Sequence, residues 1–441
     1  MDRAVSSDPA VQRQLDRLAT LSPGADILGL ERISALLERL GHPERRLPPV
    51  FHVAGTNGKG STCAFLRAAI EAAGLTAHVY TSPHLVRFNE RIRIAGRLIA
   101  DELLAELLTE VLDRGADIGA SFFETTTAAA FLAFARIPAD ACVVEVGLGG
   151  RLDATNAIPA PAVCGIAQLG LDHQQFLGDR IEDVAAEKAG IAKRGVPLLT
   201  QDYPDSLAGR IAEAAAAAGA TWLPRGGRWD STADGGRLRY RDARGALDLP
   251  LPRLPGDHQA MNAGLAVAML RHQSAIAVPD SALAAAMEKA VWPARLHRLS
   301  DGPLHRLLPP GAELWLDGGH NPAAARAVAD HFRADLPEGR PFHLVFGLLA
   351  NKDATGVLEP FAGRATSLRA VPVPGHPHHR PDDVAALARR LGIDASAADD
   401  PEAALLAIGR LAKRGPPPVV LIMGSLYLAG EVLRANGQPP D

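Results

Sequence analysis

Apolar side chains recur at helical spacing over residues 9–40, which predicts two amphipathic helices around a loop at Ser22–Gly24. The run PPVFHVA then changes period. It is short and almost wholly apolar, as a strand buried on both faces is, and predicts a strand from Pro49 to Ala54. A glycine-rich turn follows. After it come a helix over Ser61–Ala73, with Gly74 placed to end it, and a strand over Thr76–Thr81. Strand, loop, helix and strand in this order make a parallel βαβ unit.

The alternation continues with helices over Asp101–Arg114 and Thr125–Arg136 and a buried strand over Ala141–Val146. Strands over Val163–Ala167 and Val196–Thr200 flank a helix over Ile181–Ala192. Residues 221–251 are glycine-rich and alternating, and GGRLRYRDARGALDLPL predicts a hairpin. Helices over Gln259–His272 and Ser281–Val291 close this region. A second alternation has strands over Glu313–Asp317, His343–Gly347, Ser367–Val373 and Val419–Met423. The periodicity breaks over Pro293–Gly302. The expected fold class is therefore α/β, with a phosphate-loop central-sheet domain over 1–298 and a smaller Rossmann-like α/β domain over 299–441.

Composition narrows the class. The chain has 441 residues, 47% hydrophobic and 22% charged, and a formal net charge of −4 without a basic run. That balance argues against nucleic acid and against an anionic membrane surface as partners. No apolar run approaches the length of a membrane span, and the N-terminus lacks a signal-peptide core. Three widely spaced cysteines, Cys63, Cys142 and Cys164, fit neither a disulfide framework nor a zinc site. The expectation is a cytoplasmic protein.

Four segments carry candidate chemistry. Gly55-Thr56-Asn57-Gly58-Lys59-Gly60-Ser61-Thr62 lies between strand and helix, where backbone N–H groups and the helix N-terminus attract phosphate. Lys59 offers charge to a triphosphate and Ser61 a hydroxyl to Mg2+, although Gly60 separates the two, unlike the usual G-K-[ST] order. Glu145 ends a strand and precedes Gly147, Gly149 and Gly150, at the sheet edge where ligands of open α/β sheets bind. It suits a metal ion that prefers oxygen. Asp172 and His173 form an acid–imidazole pair, with Asp172 placed to fix the tautomer. Lys188, on a helix, reads as solvated. Asp317-Gly318-Gly319-His320-Asn321-Pro322 ends a second-region strand, with Asn321 as the helix cap. His376, His378 and His379 read as a polar loop rather than a metal site.

Eleven segments in order along the chain carry a resemblance: LGLERI (28–33), HVAGTNGKGST (52–62), TSPHLVRFNERI (81–92), FFETTTAAA (122–130), EVGLGGRLDATN (145–156), LDHQQFLG (171–178), AAEKAGI (185–191), HQAMNA (258–263), DGGHNP (317–322), FGLLANKD (346–353) and MGSLYL (423–428). The sequence resembles the folylpolyglutamate synthase / dihydrofolate synthase family of Mur-ligase-like amide ligases. DGGHNP stands where DGAHNP is commoner, and PARLHRL where PGRFQ or PGRLE is usual.

The resemblance implies an ATP-dependent ligase that adds L-glutamate to dihydropteroate, to (tetrahydro)folate, or to both, through an acyl phosphate. It implies ATP bound by Thr56, Asn57, Gly58, Lys59, Gly60, Ser61, Asn262, Arg295 and Asp317. Arg295 would reach across a cleft from the segment joining the two domains. Mg2+ would be held by Ser61, Ser82, Glu145 and His173, with a monovalent cation such as K+ as a further ligand of the family. Lys59, Glu145, His173 and Lys188 would be catalytic, and Lys188 would be carbamylated. Leu28, Gly29, Leu30, Glu31, Arg32, Phe123, Glu124, Thr125, Thr126, Leu152, Asp153 and Ala154 would meet the pterin, and His320 and Ser425 the glutamate. The partners implied are small molecules, and the chain a monomer. Two other readings share the loop. A cell-wall ligase with a UDP-linked substrate usually carries a separate N-terminal domain, whereas this loop begins at residue 55. A regulatory phosphate-loop ATPase has no need of DGGHNP.

Overall fold

The computed structural model describes residues 5–21, 28–336, 339–412 and 415–441; the loop expected at 22–24 lies outside them. The chain divides into two compact units, Met1–Arg253 with His258–Val291, and Leu254–Asp257 with Trp292–Asp441.

In the first unit, β1 (Val50–Ala54) is the middle of a mainly parallel sheet. The other strands are β2 (Ala77–Tyr80), β3 (Ile92–Ile94), β4 (Arg97–Leu98), β5 (Ala141–Glu145), β6 (Val163–Ile166), β7 (Pro197–Thr200) and β8 (Thr221–Pro224). Their order is β4-β3-β2-β5-β1-β6-β7-β8, with only the β2–β3 and β3–β4 pairs antiparallel. β1 pairs with β5 on one side and β6 on the other, Val53 opposite Glu145 and Ala54 opposite Ile166. The chain leaves β1 toward β2 and returns past it to β6, so the strand order reverses at β1. In open α/β sheets the crevice at that switch point receives ligands.

The helices of this unit are α1 (Pro9–Ala19), α2 (Glu31–Arg39), α3 (Lys59–Ala72), α4 (Asp101–Arg114), α5 (Phe122–Arg136), α6 (Gln174–Leu177), α7 (Ile181–Ala189), α8 (Asp205–Ala218), α9 (Asp257–Arg271) and α10 (Asp280–Lys289). α5 begins three residues before the expected Thr125. Ser121 Oγ accepts the Glu124 N–H and Glu124 returns a carboxylate to the Ser121 N–H, a reciprocal cap that fixes the start. One core packs Val11, Leu36, Leu108 and Phe131 against Val144 of the sheet; another packs Ala185, Ile191 and Ile211 against Ile166 and Leu198. The expected hairpin is real and gains a strand: β9 (Trp229–Asp234), β10 (Arg237–Asp242) and β11 (Gly245–Pro250) form a separate antiparallel sheet.

The second unit has β12 (His297–Arg298), β13 (Glu313–Asp317), β14 (Phe342–Phe346), β15 (Ser367–Ala370), β16 (Asp394–Ala397) and β17 (Val419–Met423), ordered β12-β13-β17-β14-β15-β16. Only the β12–β13 pair is antiparallel. Its helices are α11 (Pro322–Asp335), α12 (Ala354–Leu358), α13 (Pro381–Arg390), α14 (Pro401–Leu411) and α15 (Leu426–Ala435). Phe332, Phe342, Leu344, Phe361 and Val384 form its core. The fold is the expected α/β class in both units. No described helix is long and apolar enough to cross a membrane.

Candidate active site

The phosphate loop is built by a left-handed turn. Gly58 has φ +83° and precedes α3, whose N-terminus has no side-chain cap. A Cβ at Gly58 would overlap Oδ1 of Asn262 on α9, so only glycine fits. The loop's first half is braced from the β6 side. The Gln168 carbonyl accepts the N–H groups of Thr56 (2.8 Å) and Asn57 (3.2 Å), and the Thr56 hydroxyl donates to the Gly170 carbonyl (2.8 Å). That leaves the first turn of α3 as the anion-attracting face. Lys59 Nζ folds back to donate to the carbonyls of Gly55 (3.0 Å) and Thr56 (3.3 Å), which holds its charge over the loop. Ser61 is buried in the first turn of α3.

Glu145 ends β5 beside β1 and is 5% exposed. Burial raises the pKa of the Cys63 thiol on α3, and the Glu145 carboxylate adds to that while the Lys59 charge opposes it. Ser82 lies at the carboxyl end of β2, before a cis peptide to Pro83. The following loop, 147–153, packs closely. A Cβ at Gly147 would overlap the Cζ end of the Phe123 ring (2.3 Å), and a Cβ at Gly150 would be 2.8 Å from the Glu187 carbonyl and 2.9 Å from the Lys188 Cα. Arg151 N–H donates to the Glu187 carbonyl and its guanidinium pairs with the Glu187 carboxylate (3.0 Å).

This docking corrects the reading of Lys188. It is not solvated: it is 4% exposed, because the glycine loop lies on α7 at that residue. Among the described residues no group hydrogen-bonds or ion-pairs with its Nζ. Burial, joined by the Lys59 charge, lowers its pKa to about 7 against the pull of Asp172, Asp153 and Glu187. Lys59, Glu145 and Lys188 are thus gathered at the carboxyl edge of the sheet. His173 is exposed, with φ +52°, at the start of α6; its backbone N–H donates to the Asp172 carboxylate at 2.8 Å.

The expected pterin residues divide. Leu28, Gly29, Leu30 and Arg32 are partly exposed, Glu31 exposed, and Arg32 pairs with the buried Glu124 carboxylate at 2.9 Å. Phe123 is partly exposed at the start of α5. Thr125 and Thr126 are buried, and the Thr126 hydroxyl donates to the Phe122 carbonyl, so it serves the helix. Leu152 and Ala154 flank Asp153, whose carboxylate accepts from Leu148 N–H (2.8 Å), Thr155 N–H (2.9 Å) and the Thr155 hydroxyl (2.5 Å).

In the second unit, the loops after β13, β14, β15 and β17 share one edge. Asp317 accepts the N–H groups of Leu296 (2.8 Å) and Gly319 (2.7 Å), and Arg295 lies against Gly318. Ala294 and Leu296, either side of Arg295, both have positive φ, the local result of PARLHRL. His320 Nδ1 lies 3.0 Å from the Gly318 carbonyl, and Ser425 caps α15. The three loop histidines have separate tasks: His376 stacks on Tyr427 (centroids 3.7 Å), His378 bonds the His376 carbonyl and His379 the Lys352 carbonyl. No group of three or more histidine, cysteine or acidic side chains able to hold a metal occurs among the described residues.

The sequence reading passed over His52, Thr155 and Gln259. Gln259 accepts from Asn262 Nδ2 at 3.0 Å, and both are buried behind the phosphate loop. The signal for His52 was present: a polar residue inside an otherwise apolar strand.

Comparison with known proteins places the chain in a family. The model of the Mur ligase, glutamate ligase domain matches residues 306–426. The folylpolyglutamate synthase of Lacticaseibacillus casei is 32% identical over 421 residues, covering 91% of this chain and 92% of that protein. The fold superposes on an Escherichia coli FolC in complex with DHPP and ADP with TM-score 0.85 at 32% identity, covering 97% of each chain. It also superposes on a bifunctional folylpolyglutamate synthase/dihydrofolate synthase with Mn, AMPPNP and L-glutamate bound, with TM-score 0.83 at 32% identity over 98% of this chain and 99% of that one. The chain belongs to the folylpolyglutamate synthase / dihydrofolate synthase family of Mur-type ligases.

Proposed function

We propose that this chain is an ATP-dependent acid–amino-acid ligase that joins L-glutamate to dihydropteroate, to (tetrahydro)folate, or to both. The observation that carries the reading is the uncapped N-terminus of α3, entered through Gly58 at φ +83°, with Lys59 over it and Glu145 at the end of the neighbouring strand.

A carboxylate is a poor acyl donor because its leaving group would be oxide. Transfer of the γ-phosphoryl of ATP gives an acyl phosphate, which the glutamate amine attacks; inorganic phosphate then leaves. The N–H groups at the start of α3 hold the phosphates, and Lys59 turns from the Gly55 and Thr56 carbonyls to the transferring group. Asn262, Arg295 and Asp317 are the proposed nucleotide contacts beyond the loop. The hydroxyls of Ser61 and Ser82 and the Glu145 carboxylate are hard oxygen donors, which fits a divalent ion of the magnesium class. Such an ion, when bound, neutralises charge on the phosphoryl oxygens. His173 is the nitrogen donor proposed beside them.

Lys188 is proposed to carry a carbamate. An amine with a pKa near 7 is about half neutral at pH 7 and mostly neutral above it, and the neutral form is nucleophilic toward carbon dioxide. The product, N–COO− with release of a proton, is an anion in place of a buried cation. The acid substrate is assigned to Leu28–Arg32, Phe123–Thr126 and Leu152–Ala154, and the incoming glutamate to His320 and Ser425. The setting is proposed as the cytoplasm and the chain as a monomer.

The test is ATP-dependent incorporation of labelled glutamate with dihydropteroate and tetrahydrofolate offered separately. Product with at least one acid is expected. Phosphate release that ignores both acids and glutamate would replace the reading with a regulatory ATPase.

A further inference from the structure

His52 sits on β1 three residues before the phosphate loop and is fully buried. Its Nε2 lies 2.9 Å from the Thr155 hydroxyl. That hydroxyl has one proton, and it goes to Asp153 Oδ1 at 2.5 Å, an oxygen that also accepts the Thr155 N–H. Burial raises the Asp153 pKa, and the N–H groups of Leu148 and Thr155 that it accepts oppose that rise; with Asp153 as the carboxylate, Thr155 Oγ is the acceptor toward His52 and the imidazole carries its proton on Nε2. Nδ1 is left buried with no hydrogen-bond partner. Burial, with the Lys193 charge adding to it, holds the pKa near 3, so the ring is a neutral donor throughout the physiological range.

The bonds run on without a gap. Asp153 Oδ2 accepts the Leu148 N–H at 2.8 Å, which ties it to the glycine loop leaving Glu145. Gly147 of that loop rests on Phe123, and Gly150 on the backbone at Lys188. A buried donor with a fixed tautomer thus connects the strand that ends in the phosphate loop to the loop that carries Leu152, Asp153 and Ala154.

We propose that His52 is a positioning residue for the acid substrate: through Thr155 and Asp153 it holds the 147–155 loop in register with the phosphate loop. This rests on the assignment of Leu152–Ala154 to the acid. A satisfied buried chain of this kind specifies one geometry, and loss of its end donor leaves the Thr155 oxygen without its partner.

The test compares His52→Phe, which keeps the bulk and loses the donor, with His52→Gln, whose amide N–H replaces Nε2–H. Phe is expected to raise KM for the pteridine acid by about tenfold, with KM for ATP within about twofold of wild type, and Gln to recover most of the loss. Amide exchange at Leu148 and Thr155 is expected to quicken in the Phe variant and not at α3. Equal changes in the ATP and acid KM, a Gln variant no better than Phe while folded, or unaltered exchange at Leu148 and Thr155 would each overturn the proposal. If wild type uses neither acid, the ligase reading falls, and the exchange comparison still decides whether His52 holds the loop.

Discussion

Gly58 and Asn262 meet so closely that a side chain on the glycine would occupy the space of the asparagine oxygen. The contact joins the turn into α3 to α9, and φ +83° makes the turn unfavourable for other residues independently of the contact. Gly58→Ala is expected to cost about 1–2 kcal/mol from the left-handed backbone alone. The overlap displaces Asn262 or the loop in addition. Denaturant unfolding should show that loss, and calorimetric titration with ADP should show binding weakened beyond detection. Asn262→Gly in the same chain opens the space and should return part of the stability without returning the affinity.

Lys59 makes its bonds to carbonyls of its own loop. Those bonds are partly exposed, so Lys59→Ala should leave the unfolding midpoint nearly unchanged. Turnover should fall by at least about 10²-fold, the loss that follows removal of one electrostatic partner of a transition state. Steady-state glutamate incorporation beside a denaturation curve checks both statements. Wild-type-like turnover would remove the lysine from the phosphate site.

Much of the site could be read before the fold was known, because its parts are local. The strand, glycine turn and helix around residues 50–72 follow from period and turn chemistry, and α4, β13 and β17 fall at their expected bounds. β16, the sequence DASA, has no β-branched or large apolar residue and is set by its pairing with β15; it could not be read. Nor could the burial of Lys188. Its helix offers an ordinary polar position, and only the approach of Gly150 from a distant loop covers it. The family resemblance named that lysine; the pattern of hydrophobic positions gave no reason to.

A pKa near 7 in place of the ordinary 10.5 makes Lys188 a source of pH-dependent stability. Between those values the unfolded chain holds a proton that the folded chain has released. Stability should therefore rise with pH across that window, and the slope should vanish below about pH 7, where both states hold the proton. Lys188→Met removes the slope and should stabilise the unmodified protein near neutrality by roughly a few kcal/mol. Unfolding midpoints taken in steps between about pH 7 and 9 give the answer. The carbamate is read separately. Incubation with carbon-13 bicarbonate should give a carbamate resonance in the wild type and none in the methionine variant. Activity lost on stripping carbon dioxide should return with bicarbonate.

Ser425 accepts the Tyr427 N–H at 3.2 Å and so caps α15, at the carboxyl end of β17. A second demand on the same hydroxyl, contact with the incoming amino acid, would appear as a change in KM that the cap alone does not explain. Ser425→Ala is expected to cost about 1 kcal/mol as a lost cap. It should also raise KM for glutamate several-fold, with KM for ATP and for the pteridine acid unchanged. Asp8→Ala is the matched control. Asp8 accepts from Ala10 and Val11 at the start of α1, so that variant loses a cap of the same kind in the other unit. It should lose comparable stability and leave the glutamate KM at its wild-type value. Equal glutamate KM values in the two variants would mean that Ser425 only ends a helix, and that the amino acid is held by other residues of the edge where His320 stands.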